Sequence, residues 1–225
     1  MKRSEINAII EEGIAFLNQM NFLLPPFAYF SLDEWKEKKE SAKEIMELSL
    51  GWDITDFGSG NFKKSGLLLF TIRNGQVNST VYPKPYAEKI MIVEENQVTP
   101  MHFHFYKMED IINRGGGNLV IELCNSTVEE KLADTRVKVS VDGMQKNVAP
   151  GEKIMLYPGE SICLPPHLYH KFYGQGGKVL TGEVSMVNDD AHDNRFFEPM
   201  GRFPEIEEDA FPRYLLCNDY YKLIG

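Results

Sequence analysis

Apolar positions follow a helical spacing over the first fifty residues and a strand spacing after about residue 66. Ile6, Ile9, Ile10, Ile14 and Leu17 fall on one helical face, and Ser4 can cap that helix. Pro25-Pro26 ends the segment and forces an extended linker. Ser31-Leu-Asp-Glu34 has the form of a capping box and predicts a second helix reaching about Leu50, with the charges from Glu34 to Glu40 on a solvated face. Gly51 to Gly66 reads as a glycine-rich polar connection. Beyond it, strands are predicted at 67–73, 89–95, 101–106, 118–124, 136–141, 153–156, 161–164, 167–173 and 178–187. Asn74-Gly75 and Asp142-Gly143 are the sharpest turn signals. No helical pattern between these strands is long enough to build βαβ units, so the fold expected is all-β dominated, an antiparallel sandwich or barrel with an N-terminal helical elaboration. Neither an internal repeat nor a low-complexity linker interrupts the pattern. One domain over 1–225 is therefore expected: helical segment 1–50, barrel core 66–187, and a tail 188–225 packing on the barrel.

Composition narrows the function classes. The 225 residues are 43% hydrophobic and 12% aromatic, enough for an ordinary packed core. Twenty-four basic against 33 acidic residues leave a net charge of −9, which argues against nucleic acid or anionic membrane as partners. More weakly, it disfavours a pocket for highly phosphorylated substrates. No apolar run approaches the ~20 residues a spanning helix needs. MKRSEINAIIEEG lacks the apolar centre and cleavage site of a signal peptide. Cys124, Cys163 and Cys217 are an odd set without a CxxC, so a disulfide framework is not expected, and a reducing cytoplasm is the simplest location.

The chemistry gathers in TPMHFHFYKMEDIINRGGG, residues 99–117, which holds two of only five histidines. Side chains alternate along a strand, so His102 and His104 share a face with their Cα atoms about 7 Å apart, while Phe103 and Phe105 face the other way. Two such imidazoles can converge on one ion, and Glu109 can add a carboxylate. That mixed set suits Mn, Fe, Co, Ni or Zn. By itself HxH is often only an exposed pair. A matching segment lies downstream, Pro158-Gly159-Glu-Ser-Ile-Cys-Leu-Pro165-Pro166-His167-Leu-Tyr-His170. Together the two segments resemble the paired motifs of the cupin superfamily. His102, His104, Glu109 and Gly116 fit the first motif; Gly159, Pro165 and His170 fit the second. Asn96 stands where the first motif opens with Gly, His167 replaces the second-motif Gly, and Gly174 replaces its Asn. The resemblance implies a jelly-roll barrel holding one divalent ion on His102, His104, Glu109 and His170, with coordination positions open to substrate. Spacing favours His170 over His167, which is read as structural or outer-shell. His192 in the tail is read as a surface or substrate-contacting residue.

Cupins host many functions, so the neighbours of the ion must decide. Gly174-Gln-Gly-Gly177 is expected to turn the His170 strand into the strand of Glu183. A symmetric loop puts Thr181 opposite His170 and Glu183 opposite Leu168, facing the metal side. A one-residue slip would instead leave Glu183 as an exposed strand residue. An inward Glu183 is the candidate general base. Lys107 either faces solvent or reaches the site. Lys84 and Lys89, in YPKPYAEK, are candidates to bind sugar hydroxyls, as are Asp190 and Arg195 within the tail cluster 188–195.

LPPFA, GWDITDFG, YPKPYAEKIM, the histidine stretch, PGESICLPPHLYH, GEVSMVNDDAHDN and GRFPEIEED together resemble the bacterial D-lyxose isomerase family over most of the chain. That resemblance implies a Mn-dependent aldose–ketose isomerase, usually a homodimer. It would interconvert D-lyxose with D-xylulose and D-mannose with D-fructose. The chemistry agrees: a divalent ion acidifies the C2 proton of a 2-hydroxy aldehyde, and a base carries that proton to C1. Glu183 is the expected base, with Lys107 or Lys89 moving protons between oxygens; a metal-assisted hydride shift is the alternative path. Two competing readings share the ligand set, a redox cupin (Fe or Mn dioxygenase) and a non-catalytic sugar-binding cupin.

Overall fold

The computed structural model describes residues 1–224. Helix α1 (Arg3–Gln19) is followed by a 3-10 turn at Pro26–Tyr29 and by two short helices, α2 (Leu32–Lys38) and α3 (Lys43–Glu47). The capping box forms: Ser31 Oγ accepts from Glu34 N–H and the Glu34 carboxylate accepts from Ser31 N–H. The expected single helix to Leu50 is thus two, and it stops short of a strand. Eleven strands follow: β1 (Gly51–Thr55), β2 (Leu67–Arg73), β3 (Tyr86–Val93), β4 (Val98–His104), β5 (Glu109–Asn125), β6 (Val137–Val141), β7 (Met144–Val148), β8 (Lys153–Leu156), β9 (Ser161–Leu164), β10 (Leu168–Met186) and β11 (Asn194–Phe196). A last short helix, α4 (Tyr220–Leu223), closes the chain. Strand β1 lies where sequence suggested only a connection, and β7 and β11 were not foreseen either.

All named pairings are antiparallel, and the molecule is a cupin-type jelly roll. One layer runs β1-β2-β3-β10-β5-β9-β6-β7, and the other joins β11-β4-β10 to β5-β8. Strands β5 and β10 belong to both layers. The sequence predicts two strands, 167–173 and 178–187, where β10 is one, and only the second half of β5, 118–124. Instead each runs through and bends, with Leu119 opposite Gly174 and Gly116 opposite Val179 across a register shift. Glycine permits this corner. A Cβ on Gly117 would sit 2.6 Å from Gly177 O, and one on Gly116 2.2 Å from Lys178 O, at φ +91°. Asn74-Gly75 also differs from expectation. It opens a long loop to β3 rather than a two-residue turn, whereas Asp142-Gly143 does make one, with both φ angles positive.

The core explains the unbroken apolar run of β2. Leu67 and Leu69 point into the barrel with Met91, Val93, Ile111 and Ile121; Leu68 and Phe70 point out against Ile6, Ile10 and Leu17 of α1. The helical segment therefore covers one sheet face. The tail returns across the barrel: β11 pairs β4, Glu207 meets the N-terminus, and Arg3 forms a buried ion pair with Asp219. No helix among the described residues is long and apolar enough to cross a membrane. Cys124, Cys163 and Cys217 are free.

Candidate active site

Strand β4 carries His102 and His104 on its inner face, and β10 places His170 directly opposite His102. Phe103, on the outer face, packs on Tyr169 at 4.8 Å between ring centres and on His167 at 5.1 Å. His167 occupies the turn before β10 at φ 61°, the left-handed conformation the motif glycine would take, and its N–H donates to His104 O. Asn96, Gly116 and Gly159 share that positive φ. The motif positions are thus backbone requirements, and Asn or His fills them at a modest strain. His192 is exposed and bound to its neighbour Asp189.

The three inner imidazoles bring one donor atom each to within 4.8 Å of one another. Nδ1–H of His102 donates to Pro100 O (2.8 Å), and Nδ1–H of His170 to Leu168 O (3.0 Å), which leaves a lone pair on each Nε2. Burial and the neighbouring imidazoles push the His102 pKa well down; burial and Lys107 lower that of His104. Both rings are neutral and ligand-competent. Glu109 opens β5 and turns Oε1 toward His170 Nε2 (3.1 Å) and His104 Nε2 (3.4 Å). Burial would raise the Glu109 pKa, but the Lys107 ammonium outweighs it and keeps the group ionised. The His170 Nε2–Glu109 contact is short but makes no hydrogen bond, since both atoms present lone pairs, and His170 Nε2 has no partner among the described residues. Lone pairs that converge without a proton between them fit a divalent cation, so these residues could hold one.

Beside this cluster runs a chain of buried charges. Lys107 Nζ bridges Glu109 Oε2 and Glu183 Oε1, both at 2.8 Å. Glu183 pairs across the sheet with Lys89, so both face inward; Lys89 Nζ lies 3.6 Å from Glu183, 3.5 Å from Asp190, and donates to Asn188 Oδ1. Glu183 is inward as expected, but the hairpin premise was wrong: it is oriented by β3 and by the β5 residue Ile111. Asp190 accepts from Arg202 Nη2 (3.0 Å), which also donates to Asp53 (2.7 Å). Burial would raise the Glu183 pKa, yet Lys107 and Lys89 hold it below the ordinary carboxylate value. Burial opposes the charge of Lys107 as well, but Glu109 and Glu183 raise its pKa, so it stays an ammonium donor. Burial likewise works against Asp190, and Lys89 and Arg202 hold it well down. On Asp53 burial prevails and raises the pKa.

His102, His104, Lys107, Glu109, Glu183, Lys89, Asp190 and Arg202 line one cavity, with Phe57, Leu69, Met91 and Phe196 as its apolar wall. Lys84 and Arg195 are elsewhere. Lys84 reaches Glu44 and Asn74 O, because the 74–85 loop leaves the barrel; Arg195 pairs with Glu130 on the far side of β11. Sequence reasoning missed Arg202, Asp53 and Asp193, whose carboxylate accepts the backbone N–H of both Tyr106 and Lys107 and so fixes the turn presenting Lys107. Asp193 and Asn188 lay within the noted tail cluster. Nothing local distinguishes Arg202 or Asp53.

A family model described as D-lyxose isomerase matches residues 1–220. A protein of Serratia proteamaculans named D-lyxose/D-mannose isomerase is 50% identical over the whole of both chains. One of the same name from Escherichia coli O157:H7 is 51% identical over 98% of each. Among solved structures, Cellulomonas parahominis L-ribose isomerase shares the fold with a TM-score of 0.61 at 14% identity, over 92% of this chain and 98% of that one.

Proposed function

This chain belongs to the D-lyxose isomerase family of sugar isomerases, and from that premise we propose that it interconverts D-lyxose with D-xylulose and D-mannose with D-fructose, using Mn2+ held by His102, His104, Glu109 and His170. One observation carries the reading: a neutral three-histidine cluster with a carboxylate shares its cavity with a second buried carboxylate, Glu183, clasped by two lysines. When bound, the ion supplies Lewis acidity at the sugar's carbonyl and C2 hydroxyl oxygens, which makes the C2 proton removable.

The protein's own groups supply the rest. Glu183, ionised, takes the proton from C2 and returns it to C1. A second proton must pass from O2 to O1. Lys107 Nζ, an ammonium donor within 2.8 Å of Glu183, is placed to steady the negative charge on those oxygens as it moves. Lys89 adds a further positive group at 3.6 Å from Glu183, which keeps that carboxylate ionised between turnovers. The apolar wall of Phe57, Leu69, Met91 and Phe196 limits water around the enediol. Lys84 and Arg195 have no part in this scheme. A homodimer is the form expected from the family resemblance, and the three free cysteines suit a reducing cytoplasm.

The test is one assay. Chelated protein receives Mn2+ with D-lyxose or D-mannose, and ketose is measured in air and under nitrogen. Metal-dependent ketose at equal rates in both supports the isomerase. Turnover only with oxygen would establish a redox cupin, and metal-dependent sugar binding with no ketose a sugar-binding protein.

A further inference from the structure

We propose that Arg202 takes the hydroxyl at the far end of the open-chain sugar and thereby sets how the protein discriminates sugars by length. The proposal rests on the isomerase reading above.

Arg202 comes from the tail and is held on three sides. Its Nη2 donates to Asp53 (2.7 Å) and Asp190 (3.0 Å), and the guanidinium carbon stands 5.0 Å from the centre of the Phe203 ring. Its Nη1 is buried and has no partner among the described residues. A buried donor left unpaired is unfavourable, and a planar guanidinium can spend one nitrogen on carboxylates while the other stays free. Arg202 lines the same cavity as the histidines.

Its place in the cavity is the far end. The charge chain runs Glu109, Lys107, Glu183, Lys89, Asp190, Arg202, each touching the next. An aldose with its first two carbons at Glu183 and the histidines therefore extends its remaining hydroxyls toward Arg202. A hydroxyl oxygen accepts from Nη1–H. The charge of Arg202 is already met by two carboxylates, and along the wall three cations face four carboxylates. The end group that fits is therefore a neutral hydroxyl rather than a phosphate. D-Mannose carries one more CHOH than D-lyxose at that end.

The experiment compares wild-type protein with Arg202→Lys, which keeps a cation between Asp53 and Asp190 but lacks the second nitrogen. Both are loaded with Mn2+ and checked for thermal unfolding and metal content. kcat and KM are measured for D-lyxose, D-mannose and 6-deoxy-D-mannose. Wild type is expected to prefer D-mannose over its 6-deoxy analogue by about tenfold or more in kcat/KM, mainly through KM. In Arg202→Lys that preference should shrink to within about twofold. An equal preference in both proteins overturns the role of Arg202. So does a wild-type enzyme that treats the two hexoses alike, whatever the variant does. A wild-type protein that turns over no aldose overturns the isomerase reading instead.

Discussion

Glu183 shows how a residue's chemistry is set by what its neighbours add to burial. Alone in a closed barrel it would hold its proton; between Lys107 and Lys89 it is an anion. As an anion it can act as a base. Glu183→Gln keeps the shape and the hydrogen bonds to Lys107 while removing the proton acceptor. Turnover should fall by roughly 10²–10⁴-fold, with bound metal unchanged, as measured by ketose formation alongside elemental analysis. Near-normal turnover in that variant would take the base away from Glu183. Asp190 invites a different test. Its pKa is depressed in the folded protein, so the stability it contributes is complete above the unfolded carboxylate value of about 3.9 and is lost as pH falls through its lower folded value. Asp53, raised by burial, has the opposite sign: what it contributes is present at low pH and lost as pH rises through its folded value. The gap in urea midpoint between wild type and Asp190→Asn should therefore be full near pH 6 and narrow as pH falls from about 4 to about 3. A gap constant across that range would contradict the assignment.

Among the elements, the long strands β5 and β10 decide the geometry of the site. Each crosses from one layer to the other, so Glu109 and Glu183 come from the half that pairs β9 and β3, and His170 from the half that pairs β4. The bend between the halves brings the carboxylates to the histidines. It depends on Gly116, whose φ of +91° and whose approach to Lys178 O leave no room for a Cβ. Gly116→Ala must either shift the corner or strain it. It should destabilise by about 2–4 kcal/mol, read as a lower Tm, and should weaken metal retention even though no ligand is touched. An unchanged Tm would show that the corner has slack.

Over the whole molecule, the two ends of the chain enclose the barrel. Helix α1 covers the outer face of β2 and β3, and the tail runs over the cavity, supplying Asp190, Asn194 and Arg202 before it returns to Arg3 through Asp219. The buried Arg3–Asp219 pair joins residues 216 positions apart, and removing either partner alone would strand a buried charge. The cavity is consequently closed by a segment whose own ends are fixed, one by Asn74 hydrogen-bonded both ways to Asn188 and the other by the N-terminus.

The sequence by itself determined the ligand set proposed for the metal and the kind of fold. His102 and His104 share a face because a strand alternates, and positive-φ positions announce themselves as Gly or Asn, as at Asn96, Gly116 and Gly159. Such information is local, carried by spacing and backbone preference. Only the tertiary structure decided which other polar residues reach the cavity. Lys84, Lys89 and Lys107 look alike in sequence, yet a loop takes Lys84 away while strand pairing turns Lys89 inward. Arg195 and Arg202 are separated by one short excursion of the tail, and only Arg202 faces the site. The continuous strands through 115–117 and 174–177 were equally hidden, because a glycine run permits a turn and a bend alike. Which one forms depends on the opposing strand, and that partner lies some sixty residues away in the chain.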